Sequence, residues 1–91
     1  MDTQTDFFSQ RSIAVGSAPS HVLAKARRVI CRLEQGVPYW QMRGKRLQRD
    51  RSVISIPVGR HYRLLAEDRD GRISPCELLS HALYDTRSRH F

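Results

Sequence analysis

Ser52-Val-Ile-Ser-Ile-Pro-Val58, then Gly59, then Arg60-His-Tyr-Arg-Leu-Leu-Ala66, is the stretch that decides the fold. The first segment is β-branched and bounded by Asp50 and Gly59, which predicts a strand. Alternation puts Val53, Ser55 and Pro57 on one face and Ile54, Ile56 and Val58 on the other. Pro57 has no N–H to give a ladder, so it calls for a bulge or an edge position. The second segment is a second strand. Asp68-Arg-Asp-Gly71 is then a turn, with Asp70-Gly71 the favoured hairpin dipeptide. Arg72-Ile-Ser-Pro-Cys-Glu-Leu-Leu79 is a third strand, disturbed by Pro75. Three strands joined by short turns make an antiparallel meander.

Upstream lies an amphipathic helix over residues 21–35. Val22, Ala26, Val29, Ile30 and Leu33 recur on one helical face, and Lys25, Arg27, Arg28 and Arg32 fall on the others. Ser20 reads as its N-cap, Gly36 as its C′ residue, and Pro38 blocks continuation. Arg11 to Val15 alternates as a short strand ended by Gly16. Met1 to Gln10 is polar apart from Phe7 and Phe8, so residues 1–10 are expected to be loosely ordered. Val37 to Leu47 is either a helical turn or an extended lead-in to the sheet. Trp40, the single Trp, is expected as a core anchor between helix and sheet rather than as a base-stacking ring. Ser80 to Asp85 closes the fold as a helical turn. The expectation is one domain over residues 1–91 of α+β class: one main helix packed on a small antiparallel sheet.

Composition narrows the function. The chain has 91 residues and a net charge of +7, with a pI near 10.4. That is too short for a dinucleotide-binding domain plus a substrate domain. No apolar run approaches membrane-spanning length. Asp2 and Asp6, with no Lys or Arg before Arg11, argue against a secretory signal. Cys31 and Cys76 make neither a disulfide framework nor a paired metal-ligand spacing, and with His61 and His81 they form no recognisable zinc motif. A reduced, cytoplasmic setting with no metal or cofactor and no membrane is the expectation. The charge is concentrated: residues 43–63 hold Arg43, Lys45, Arg46, Arg49, Arg51, Arg60 and Arg63 against Asp50 alone. Fourteen of the sixteen cations are Arg, whose planar fork suits phosphate. A polyanion is the natural partner, and Arg43, Lys45, Arg46, Arg49, Arg51 and Arg60 are the candidate nucleic-acid contacts.

From Gly44 to Asp85 the chain resembles the RelE/ParE superfamily of bacterial type II toxins. Three stretches carry the likeness: Gly59-Arg-His-Tyr-Arg-Leu-Leu65, the Asp70-Gly71 turn, and Leu78-Leu-Ser-His-Ala-Leu-Tyr84. The family commonly has a two-helix hairpin before its central strands, whereas one helix is read here. The resemblance implies a growth-arresting toxin neutralised by a cognate acidic antitoxin. It implies either ribosome-dependent cleavage of mRNA or, in the ParE-like branch, non-hydrolytic inhibition of DNA gyrase. A plain basic nucleic-acid-binding module is the remaining alternative.

Metal-free RNA cleavage needs a base for the 2′-hydroxyl, a held phosphate, charge stabilisation on its oxygens and an acid for the leaving oxygen. By resemblance, Arg63 stands where RNA-cleaving members place a phosphate-binding Arg. His81 stands where they place a general acid or base, and Tyr84 matches their C-terminal Tyr. His61 is a substitute proton carrier, because it shares a strand face with Arg63. The segment Ile54-Ser-Ile56 offers no proton-transfer group where such members carry Lys or Glu, which favours the gyrase-directed branch.

Overall fold

The computed structural model describes residues 3–82. In chain order it shows α1 (Thr3–Gln10), α2 (Ser20–Glu34), a 3-10 turn (Tyr39–Met42), β1 (Lys45–Arg46), β2 (Val53–Val58), β3 (Tyr62–Arg69) and β4 (Arg72–Ser80). The four strands form one antiparallel sheet in the order β1-β2-β3-β4. The main helix packs on it, as the α+β expectation holds.

Helix α2 buries Val22, Ala26 and Ile30, spaced one helical turn apart. Its start differs from the sequence expectation: Pro19 occupies the N-cap and Ser20 is already helical, with no side-chain cap bond. Pro19 supplies the acceptor instead, its carbonyl taking the N–H groups of Val22 and Leu23. The C-terminus closes as read. Gly36, at φ 92°, donates to Leu33 O, and Val37 donates to Arg32 O at 2.9 Å. This paired closure satisfies carbonyls the helix would otherwise leave open.

Residues 3–10 correct the expectation of a loose end. They form α1, and Phe7 and Phe8 are buried. The rings meet edge to face at 5.2 Å, and the Arg11 and Arg27 guanidiniums lie over the Phe7 ring. Arg11 also forks onto the Glu34 carboxylate at 2.8 and 3.1 Å, tying α1 to the end of α2. Residues 11–15 supply no full strand: Ala14 alone bridges the outer edge of β4, donating to Cys76 O and accepting from Leu78 N.

The sheet has two unlike faces. Ile54, Ile56, Val58, Leu64 and Leu78 join the core beneath α2. On the open face Val53, Leu65 and Leu79 make a small cluster with Leu47. This is the alternation read from Ser52–Val58. Pro57 behaves as the sequence demands, because β1 ends at Lys45 opposite Ser55 and leaves Pro57 without a partner on that side. The register of β3 with β4 shifts between Leu65–Glu77 and Ala66–Pro75, so Cys76 is an extra, bulged residue next to the disturbing proline. Asp70 (φ 55°) and Gly71 (φ 89°) form the two-residue hairpin turn, both in the left-handed region.

Between α2 and β2 the chain must pass close to the sheet. A Cβ on buried Gly44 would lie 2.7 Å from Tyr39 O and 2.9 Å from Ile56 Cγ1. The first neighbour is backbone and cannot swing aside. Gly44→Ala is therefore expected to cost about 1–3 kcal/mol by overpacking, read as a fall in the urea midpoint at unchanged m-value.

Candidate functional site

The 3-10 turn sets up the site. In a 3-10 helix, residues three apart eclipse one another. Tyr39 and Met42 therefore both pack toward the core, and Trp40 is turned outward, 65% exposed. This overturns the expectation that Trp40 anchors the core; Tyr39 takes that place. The Tyr39 hydroxyl accepts from Arg46 Nε at 3.0 Å, and the two aromatic rings meet edge to face at 5.1 Å.

Arg43 follows at φ 63°, a left-handed conformation that turns the chain from the 3-10 segment into β1. That conformation costs a non-glycine residue on the order of 1 kcal/mol. Lys45 then pairs with Ser55 in the ladder. Arg63, opposite Pro57 on β3, reaches across to Ser55 Oγ, to which its Nη1 donates at 3.2 Å. Ser55 is buried, so this bond holds the guanidinium end of the Arg63 side chain against the sheet. Trp40, Arg43, Gly44, Lys45, Pro57 and Arg63 together line one cleft of about 460 Å3. Among the described residues that line it there are three cations, an indole and no carboxylate.

His61 and His81 lie just outside the strands, His61 immediately before β3 and His81 immediately after β4. The β3–β4 ladder ends at Tyr62–Ser80, and one further backbone hydrogen bond follows it, from His81 N to His61 O at 2.6 Å. That bond brings the two backbones together, and both residues are exposed. Tyr84 lies outside the described residues.

The remaining candidate cations are dispersed. Arg49 and Arg51 occupy the β1–β2 loop, at the opposite end of β2 from Pro57, and Arg60 sits in the β2–β3 turn. Arg46 points to the helix side of the sheet. Its guanidinium donates to Asp68 Oδ2 at 2.6 Å, to Tyr39 Oη and to Arg51 O, so it works as a brace inside the fold. Asp68 also accepts from Gly71 N at 2.7 Å, linking the hairpin turn to β1.

A family model described as the ParE-like toxin domain matches residues 20–86. The chain belongs to the ParE-like toxin family. No curated protein and no solved structure matches it. The match to the ParE-like toxin domain takes in α2, the whole sheet and every residue of the cleft, and leaves α1 outside. It makes this chain a toxin of toxin–antitoxin type, with an antitoxin as its implied partner. Among the described residues of the ParE-like domain, no helix is long and apolar enough to cross a membrane. Sequence reasoning had found Arg43, Lys45 and Arg63 separately and missed Trp40 as a site residue. The available signal was its position: a Trp between Pro38 and Gly44, outside any apolar periodicity, three residues before Arg43.

Two predictions arise here. Arg43→Gly relieves the left-handed backbone while removing one cation, so the toxin should gain up to about 1 kcal/mol in stability and lose affinity for its target. Thermal unfolding and growth inhibition, measured together, check that opposition. The second concerns acid. The hydrogen bond from Arg46, aided by the Gly71 amide, holds the Asp68 carboxyl below its ordinary value, and the Arg11 fork does the same for Glu34. A carboxyl with a folded pKa below its unfolded one stabilises the fold above the unfolded value, and that stabilisation drains away as pH falls through the folded one. Asp68→Asn should therefore lower the melting temperature at neutral pH and flatten its decline below the ordinary carboxylate range.

Proposed function

We propose that this toxin acts on translation as a metal-independent endoribonuclease that cuts messenger RNA on the ribosome, in the cytoplasm, until an acidic antitoxin neutralises it. The observation that supports this reading is the His61–His81 backbone bond at 2.6 Å, which brings two imidazole-bearing residues together beside the end of β3 where Arg63 lies. An imidazole can either accept or donate a proton, so one ring takes the 2′-hydroxyl proton while the other, protonated, gives a proton to the leaving 5′-oxygen. The 2′-oxygen attacks phosphorus, the P–O5′ bond breaks, and a cyclic phosphate results. Arg63, its guanidinium steadied by Ser55, holds the phosphoryl oxygens as their charge grows. Arg43 and Lys45 bind flanking phosphates, and Tyr84 assists by stacking or proton transfer. The antitoxin carries its acidic residues against residues 43–63.

A second reading, gyrase inhibition without hydrolysis, is favoured by one feature of β2. Its open face presents Ser55 and Pro57, neither a proton carrier at neutral pH, and Ser55 is occupied by Arg63. Induced expression followed by mapping of mRNA 5′ ends and a gyrase supercoiling assay separates the two. New message ends with normal supercoiling support the ribonuclease. Intact messages with inhibited supercoiling support the gyrase reading. Unimpaired growth overturns both.

A further inference from the structure

We propose that Trp40 is a stacking platform for an unpaired base, so that the cleft selects single-stranded RNA over duplex. The proposal rests on the ribonuclease reading above and assigns that site its substrate form. Trp40 is the one large hydrophobic residue that stands exposed among the described residues. Its indole is mounted rather than loose. The edge contact with Tyr39 holds one side, and Tyr39 is itself packed on the core and bonded to Arg46. The close fit of Gly44 against Tyr39 O and Ile56 fixes where the turn sits.

Charge complementarity chooses the occupant. An apolar peptide would set its side chains beside Arg43 and Lys45 in a cleft lined by no carboxylate, whereas a nucleotide strand offers a phosphate for the cations and a base for the ring. A duplex keeps its bases stacked on one another and has no free face to give. The single ring beside several cations is the arrangement for one splayed base between bound phosphates.

Trp40 is the only Trp in the chain, so tryptophan emission, excited at a wavelength tyrosine does not absorb, reports on this position alone. The purified full-length toxin would be titrated at fixed salt with a short 2′-O-methyl RNA, which lacks the attacking hydroxyl, and with the same sequence as a duplex. Saturable quenching by the single strand, with duplex at least tenfold weaker, is expected. By anisotropy of a labelled strand, Trp40→Ala should weaken binding by about 10- to 100-fold and Trp40→Phe by much less. Because the ring is exposed, both variants should melt like the parent. Equal affinity of Trp40→Ala and parent, or equal binding of duplex and single strand, overturns the proposal, as does quenching by the antitoxin with none by RNA. The two readings fail separately. Message cleavage that persists with unchanged affinity in Trp40→Ala removes the platform and spares the ribonuclease. Single-strand quenching in a toxin that cuts no message does the reverse.

Discussion

Arg63→Ala is expected to slow message cleavage by about 10²- to 10³-fold while the protein stays folded, measured as the rate of new 5′ ends on translating ribosomes. The magnitude is that of removing a preorganised donor from developing charge. The side chain is well placed for this, because its Nη1 bond to buried Ser55 sets its direction before substrate arrives. Arg63→Lys keeps the charge and loses the planar fork, so it should recover only part of the rate. Ser55→Ala should fall between parent and Arg63→Ala, since it loosens the guanidinium without deleting it. Full toxicity in Arg63→Ala would remove Arg63 from the mechanism.

Phe8→Ala is expected to carry the largest cost in stability, about 3–5 kcal/mol, by leaving a cavity where a ring is now 1% exposed. Small domains are stable by only about 5–15 kcal/mol, so such a variant sits near the edge of folding. Urea unfolding monitored by circular dichroism gives the number. The residue lies outside the stretch that matches the toxin family, yet it belongs to the same core as Ile30, Ile56 and Leu64. A loss below about 1 kcal/mol would mean that α1 does not hold the domain together.

Helix α2, strands β2 to β4 and the Asp70-Gly71 turn were legible because each is written in a local pattern: helical spacing, β-branching and alternation, or a dipeptide suited to positive φ. Helix α1 was not, because Thr3–Gln10 offers two adjacent phenylalanines and no period; it is helical because α2 gives those rings somewhere to pack. Strand β1 has two residues, too few for any alternation to register. The site shared that limit. Arg63 could be placed on the open face by counting along its strand, whereas His61 and His81 fall just outside the strands, where that count does not run. The convergence of Arg43 and Lys45 on Arg63 depends on a left-handed residue and a two-residue strand, and Trp40 depends on the phase of a single 3-10 turn.

The bridge from Ala14 to the rim of β4 has a bearing on how the molecule assembles. Strands β1 to β4 each pair with their neighbour in sequence, so on the ribosome they can zip together in the order they are made. The two hydrogen bonds of Ala14 cannot form until Cys76 and Leu78 have been synthesised, and closing so long a loop costs more entropy than any hairpin between neighbouring strands. The N-terminal segment, first to emerge, is thus among the last to lock. That bridge also shields the middle of an edge strand that would otherwise offer its amides to another chain. A nascent toxin therefore passes through a stage with a finished hairpin and an open border, which closes only when Ala14 has reached β4.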